Sequence, residues 1–547
     1  MAKVITDEQN YQDIANAIRA KLGSTDTYTP SEMAAAISTI SGGGGTAITD
    51  PEVVYLATRP SDWLKMPTPS DNEGYVLLQI DDDYSGPLPI YLELGGSSSS
   101  LIEFGTVDQN GTFIADSSLT YQATSYRITT SVPNASFGSL TAGGKRQIMM
   151  KISNYIFTQF YLMPNDTAPL RTAIAEISVK PTSTYIYSFL GSGNSGYSVP
   201  NLRYLTVSGG AYASYASNIC TYLNGVIAIR SLPSISQLTT LKDAFKGCSN
   251  LVAVPSLSTS HITNFNGAFS GTRVPTIPAY DFSHATDMSN AFSDCKNLSS
   301  VSITLNSATT VSSMFYYATT LTEATVNAPQ ATNWSSLFNY CYAIRKITLN
   351  MPSATTASSM FPNAGVPIAH MDISGIDTSH ITTFGSGGFP ISSFPREVWS
   401  SIDTSSGTSF SGAFSSGTSF AGECLDLSAF DFSSATSTSS LNNLVYVGSG
   451  TQVIFGDTFS PSGIPNTSSI ISASSSSYWG VTSNNPAHIK INKTDAMLQL
   501  AANASTVFSN NSYVYVYVPD NLLATYQADT YWSTLGARLK GFSEWPS

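Results

Sequence analysis

Met288-Ser-Asn-Ala-Phe-Ser-Asp-Cys-Lys-Asn-Leu298 decides the fold, because its Phe292 belongs to a series. Phe245, Phe269, Phe292, Phe315, Phe338 and Phe361 are separated by 24, 23, 23, 23 and 23 residues, and Phe389 and Phe414 continue the series with small insertions. A threonine stands six residues before most of them, at Thr239, Thr263, Thr286, Thr309, Thr332, Thr355 and Thr408, and Thr382 fits once the local insertion is allowed. An aliphatic residue follows about six positions after several, as at Leu251, Leu298, Leu321 and Ile344. Anchors recurring at one short period specify a solenoid, in which each coil buries its apolar edge only by stacking on its neighbours. The phenylalanines are expected to form its core.

Three stretches carry a resemblance: Met288 to Leu298, Asp372-Ile-Ser-Gly-Ile-Asp-Thr-Ser-His-Ile-Thr382, and Asp426-Leu-Ser-Ala-Phe-Asp-Phe-Ser-Ser-Ala-Thr436. They resemble BspA-like leucine-rich repeats of bacterial and phage surface proteins, over residues 239–440. In that family such repeats carry adhesion rather than catalysis. The coils near 362–425 depart from the pattern, being irregular and rich in glycine and serine, so an insertion or surface loop is expected there.

The register also assigns the reactive side chains. Cys248, Cys295 and Cys341 fall three residues after the repeat Phe, where other coils have Thr272, Ala318, Ala364 and Gly417, so the slot is small and buried. Thiols two coils apart would lie roughly 10 Å from each other at strand spacing, beyond disulfide reach; free buried thiols are expected. His261, His284 and His380 share a slot with Ser307, Gln330, Ser353, Ser406 and Ser434, which reads as a turn position. His370 and His488 have no acidic or cysteine partner at ligand spacing. There is no Gly-x-Ser-x-Gly, Walker-type or His-Glu-x-x-His motif. The expectation is no catalytic residue, no metal site and no cofactor. Asp372, Asp377, Asp426 and Asp431 occupy repeat slots and read as structural, although carboxylates paired only in space would leave no sequence trace.

One group of residues has the chemistry of a binding strip. Tyr317 and Tyr340 share the slot two after the repeat Phe in adjacent coils, beside Tyr316, Tyr342 and Trp334. Aromatic faces suit stacking on sugar rings and interface anchoring. The same residues would also serve to pack between coils or at a subunit contact.

Composition bounds the function classes. The chain has 547 residues, 42% hydrophobic and 11% charged, against roughly 25% charged in ordinary soluble domains. The deficit of charged residues is filled by 86 serines and 58 threonines. With 24 basic and 36 acidic residues and no basic run, nucleic acid is not an expected partner. The opening Met-Ala-Lys-Val-Ile-Thr-Asp-Glu-Gln has no apolar export segment, and no stretch of about 18 apolar residues follows. Neither export signal nor membrane insertion is expected.

Outside the repeats the chain reads as four further parts. Residues 1–45 hold two capping boxes, Thr6 to Gln9 and Thr29 to Glu32, each followed by apolar residues at helical spacing, and end in Gly42 to Gly45. This is a helical hairpin that is either merely local or an attachment module. Ile14 to Gly23 and Tyr28 to Ile37 resemble the hairpin near the start of tail-associated and fibre proteins of phages infecting Gram-positive bacteria. Residues 46–183 show β-branched and aromatic runs at Tyr75–Ile80, Ile90–Leu94 and Gln147–Ile152, and an Asn110-Gly111 pair that favours a type I′ turn. About eight such strands predict an antiparallel β-sandwich. Ala57 to Leu64 resembles a module found ahead of repeat regions in similar surface proteins. Asp81 to Gly86 has the first half of a calcium loop, but Leu92 stands where the motif needs Glu, so it reads as an acidic turn. Residues 184–238 are a connector and solenoid cap, 239–455 the solenoid, and 456–547 a C-terminal cap. In that cap Tyr513 to Pro519 is a strand and Asp520 caps a helix through Leu522, Tyr526 and Trp532, resembling the tail of BspA-like and phage fibre proteins.

The fold class expected is therefore mostly β and multidomain. The resemblances imply a phage tail fibre or receptor-binding protein: a virion component made in the host cytoplasm, released by lysis and trimeric. Residues 1–45 would dock on other tail proteins, and a host surface glycan or protein would be the receptor. A BspA-like bacterial adhesin and a polysaccharide-degrading tailspike are the alternatives.

Overall fold

The computed structural model describes residues 49–94, 100–123, 127–154, 159–162, 168–183, 186, 188–189, 199–214, 219–361, 370–375, 377–385, 391, 396–414, 422–435, 440–459, 469–473, 481–500 and 502–546. The helical hairpin expected in 1–45 and the repeat residue Phe389 lie outside them. Among the described residues the protein is mostly β, with few helices and a β-solenoid of about 11 turns. It divides into two compact units, Met1–Val301 and Ser302–Ser547.

In the first unit, Asp50 caps helix α1 (Pro51–Thr58), its carboxylate accepting the amides of Glu52 and Val53, with Pro51 at the first helical position. The strands follow as β1 (Glu73–Asp81), β2 (Leu88–Leu94), β3 (Leu101–Val107), β4 (Phe113–Gln122), β5 (Arg127–Val132), β6 (Lys145–Ser153), β7 (Gln159–Leu162), β8 (Ile174–Lys180), β9 (Ser188–Phe189), β10 (Tyr204–Val207) and β11 (Ala228–Ser231). They form a seven-stranded sheet, β11-β10-β8-β1-β6-β3-β4, and a four-stranded one, β5-β2-β7-β9. The expected strands and the β3–β4 hairpin are present. In its turn Gly111 alone is left-handed (φ 89°) and the Asp108 carboxylate accepts the amides of Asn110 and Thr112, so the turn is not type I′.

The larger sheet is mixed rather than antiparallel. β6 and β8 flank β1 in antiparallel register, whereas β10 runs parallel to β8, and β11 parallel to β10. Hydrogen bonding thus crosses residue 183, where the sequence places a domain boundary: the first strands of the supposed connector extend the sheet of the preceding region. One face of that sheet is covered by α1 and the segment after it, through Val54, Tyr55 and Trp63 against Tyr204 and Ala228, and Leu64 and Met66 against Tyr75 and Met149. Arg59 reaches across to Glu176 of β8 (2.8 Å), a buried pair that fastens α1 to the sheet. Asp81 and Asp82, in the acidic turn, face Lys145 and Arg146.

The coils of this unit show why the repeat has its composition. The amides of Leu241, Asp243, Phe245 and Gly247 donate to carbonyls of the next coil, at Asn264, Asn266, Ala268 and Ser270, while those of Ala244, Lys246 and Cys248 turn back to residues three earlier. Such alternation requires a left-handed residue on either side of the repeat Phe. These are Asp243 (φ 53°) and Gly247 (φ 73°), then Gly267 (φ 63°) and Gly271 (φ 74°), then Asn290 (φ 57°) and Asp294 (φ 59°). Glycine, and to a lesser extent Asn and Asp, reaches this region cheaply. Inside, Phe245, Phe269 and Phe292 stack with centroids 5.2 and 5.3 Å apart. The threonines form an outer ladder: amide and hydroxyl of Thr263 both donate to the Thr239 carbonyl, and those of Thr286 to Thr263.

The second unit repeats this construction. Its strands are β12 (Ser300–Thr304, whose first residues precede the division), β13 (Glu323–Asn327), β14 (Lys346–Asn350), β15 (His370–Gly375), β16 (Cys424–Leu427), β17 (Val445–Val447), β18 (Gln452–Phe455), β19 (Ile471–Ala473), β20 (Ala487–Ile491), β21 (Val514–Val518) and β22 (Leu539–Gly541). Neighbouring strands are parallel through β13-β14-β15 and β16-β18-β20-β21-β22. Phe315, Phe338 and Phe361 stack at 5.8 and 6.2 Å, and Phe414 is fully buried. Thr332, Thr355 and Thr408 continue the ladder onto Thr309, Thr332 and Thr382. In the cap, β21 matches the expected strand, but Asp520 caps no helix: its carboxylate accepts the Ser543 amide and hydroxyl, tying the C-terminal turn to β21. The helix is shorter than expected, Leu523–Ala528, because Asp529 is extended (ψ 139°) and its carboxylate accepts the amides of Tyr531 and Trp532, opening a separate set of turns at Trp532–Arg538.

Candidate functional site

The coils containing Phe315 and Phe338 put four tyrosine rings together. Tyr316 meets Tyr317 at 6.0 Å between centroids and Tyr340 at 5.3 Å; Tyr317 meets Tyr340 at 5.2 Å, and Tyr340 meets Tyr342 at 6.0 Å. Tyr317 and Tyr342 are 40% and 43% exposed, while Tyr316 and Tyr340 are half-buried beneath them. Partial burial, with the neighbouring rings of Tyr340 and Tyr317, pushes the Tyr316 phenol up from its ordinary value.

Backbone geometry sets where two of these rings stand, as it does for Tyr222 (φ 60°). Tyr317 (φ 63°) and Tyr340 (φ 64°) occupy the left-handed slot that holds Gly247, Gly271 and Asp294 in earlier coils. An L-residue with a bulky side chain is disfavoured there by about 1–2 kcal/mol. The ladder compels the conformation, since the Tyr317 amide donates to the Asn339 carbonyl of the next coil. A tyrosine placed there projects its ring outward at a cost that glycine would not incur.

Trp334 does not join the strip. It is fully buried, its indole N–H donating to the Ala331 carbonyl at 2.9 Å. Its slot, four before the repeat Phe, holds Leu241, Phe265, Met288, Val311, Ala357 and Phe410 elsewhere. Unbroken apolar occupancy was the available sign that this position belongs to the core.

Two neighbours were not singled out by the sequence. Asn339, 8% exposed, carries a buried Oδ1 without a hydrogen-bond partner. Arg345 is exposed, and its Nη1 donates to the carbonyls of Tyr342 (3.0 Å) and Ile344 (2.7 Å). Asn339 shares the slot of Tyr316 one coil later; Arg345 follows an apolar repeat anchor, a position that carries no periodic signal.

The other reactive side chains serve the scaffold. Cys248, Cys295 and Cys341 are free and buried, their thiols donating to the carbonyls of Cys220, Phe269 and Phe315. Burial pushes all three up to about 12. His261 bonds the Ile235 carbonyl at 3.0 Å, and His284 the adjacent Ser283. Asp377 and Asp431 accept the amides of Ser379 and Ser433, closing tight turns. Among the described residues no group of three or more His, Cys, Asp or Glu is placed to hold a metal ion, and no helix is long and apolar enough to cross a membrane.

Fold and patch define a mostly β solenoid protein with an aromatic platform on two adjacent coils. Residues 239–351 and 355–444 match the family described as "Mycoplasma protein of unknown function, DUF285". That match and the solenoid are compatible with BspA-like repeats. No curated protein and no solved structure matches the chain.

Proposed function

We propose that this chain is the fibre or receptor-binding protein of a bacteriophage tail, a virion structural protein that attaches to the bacterial host surface through the tyrosine patch. The observation that carries this reading is the pair Tyr317 and Tyr340, held at strained left-handed positions on the solenoid surface. The chain contributes attachment and no catalysis. In this reading residues 1–45 dock on other tail proteins and the assembly is a homotrimer. The hydroxyl-rich composition with only 11% charged residues fits an exterior role.

Adsorption competition tests the proposal. Excess purified protein is expected to block attachment of the phage to its host, and a Tyr317→Gly/Tyr342→Thr variant to block it at least tenfold less well. Failure of the wild-type protein to compete refutes receptor binding and leaves a purely structural virion role. Incubation with host envelope glycans is expected to give binding without new reducing ends; their release would establish a glycosidase instead.

A further inference from the structure

The adhesion reading leaves the receptor's chemistry open, and Arg345 narrows it. Both hydrogens of its Nη1 are taken by the neutral carbonyls of Tyr342 and Ile344, which hold the guanidinium beside the patch. Its Nε–H and Nη2 edge remains, the planar fork that grips a carboxylate or phosphate with two parallel hydrogen bonds. The next residue, Lys346, already faces Glu323 at 3.8 Å, whereas no carboxylate among the described residues pairs with Arg345. Residues 302–547 contain 7 basic and 13 acidic side chains, and Arg345-Lys346 is their single adjacent basic pair. A cation held at the Tyr342 backbone, with no carboxylate paired to it among the described residues, next to a tyrosine patch in an acidic chain is complementary to a ligand with one flat apolar face and one negative substituent.

Resting on the adhesion reading, we infer that this site takes an acidic saccharide. A sugar ring lies on the exposed faces of Tyr317 and Tyr342, and its anionic group is held by the Nε/Nη2 edge of Arg345. Polynucleotides share the anionic groups, but an unbroken phosphate chain is repelled by the net charge of −12. Carboxylate and phosphate substituents fit the fork equally.

Calorimetry on the full chain tests this with a glucuronate-containing tetrasaccharide, its carboxyl-reduced neutral counterpart, a sugar-phosphate oligomer of equal length and an acidic peptide. The variants are Arg345→Gln, Tyr317→Gly and Tyr342→Thr. The tyrosine replacements are compatible with folding, since glycine fills the first slot at Gly247 and Gly271 and threonine the second at Thr319. The wild-type chain is expected to bind at least one acidic saccharide ten or more times tighter than the neutral one, and the stronger acidic probe identifies the substituent. Arg345→Gln should bring that ratio to about one, while the tyrosine variants weaken acidic and neutral probes alike. Equal wild-type affinity for acidic and neutral sugars, a ratio unmoved by Arg345→Gln, tighter binding of the peptide, or no saccharide binding each overturns the inference. Adsorption competition decides the adhesion reading separately: if Arg345→Gln still blocks the phage as well as wild type, the acidic ligand is wrong and the adhesion role stands.

Discussion

Replacing Phe269 with alanine probes the repeat where its core is most completely ordered. The ring is fully buried, stacked on Phe292 at 5.3 Å with an interplanar angle of 2° and on Phe245 at 5.2 Å with 21°, and touched by Tyr280 at 5.7 Å. Phe→Ala in a closed core costs about 3–5 kcal/mol. Two stacked pairs contribute roughly 0.5–1.5 kcal/mol each beyond burial, which puts this position near the upper end. Phe269→Leu keeps most of the volume and loses the ring pairs, so it should cost roughly 1–3 kcal/mol on the same basis. A chain of two compact units is not suited to a single unfolding midpoint, so native-state hydrogen exchange is the assay. At about 1.4 kcal/mol per decade, Phe269→Ala should speed exchange of the inter-coil amides of Phe245 and Phe269 about a thousandfold. Because coils are stabilised by their neighbours, the change should fade along the solenoid and leave β1 and β6 unaffected. A rise below tenfold, or Leu as damaging as Ala, would refute the stacked-core account.

Three further outcomes are expected. In the native protein maleimide should label Cys424, which is exposed, and leave Cys220, Cys248, Cys295 and Cys341 unmodified until the chain unfolds, as read by mass spectrometry; rapid native labelling of Cys295 would contradict the buried slot. Arg59→Ala should destabilise the first unit by about 3–5 kcal/mol by leaving the Glu176 carboxylate buried and unpaired, with native-state hydrogen exchange of β1 and β8 showing less loss for Arg59→Ala/Glu176→Gln. Hydrogen bonds from the following serine hydroxyl and amide hold Asp281, Asp377 and Asp403 below the usual carboxylate range. A depressed folded value stabilises the coil above the unfolded value of about 4 and is lost as pH falls through the folded one. Exchange in these turns should therefore accelerate below about pH 4 and stay flat between neutrality and that point; acceleration on raising the pH instead, after correction for intrinsic rates, would reverse the assignment.

How much of the candidate site was legible depends on whether a residue's environment repeats. Tyr317 and Tyr340 could be placed side by side because they share a slot in successive coils. Trp334 adjoins the tyrosine strip in sequence only, and the apolar residues in its slot in neighbouring coils mark it as core. Arg345 was invisible because its significance lies in two backbone carbonyls that fix its fork, and no residue pattern encodes a single side chain's hydrogen bonds.

The period alone determined which residues stack, because a solenoid turns a sequence interval into a nearest-neighbour contact: one repeat in the chain is one step between coils. Phenylalanine core, threonine ladder and buried thiols all follow from that translation. Tertiary structure alone decided what breaks the period. The parallel extension of β8 by β10 and β11, the Arg59–Glu176 pair spanning 117 residues, and the bond from Asp520 to Ser543 join segments at unrelated separations. The left-handed conformation of Tyr317 and Tyr340 belongs with them. It is imposed by amides that must reach the adjacent coil, and it turns two aromatic residues, otherwise destined for a core, into a surface.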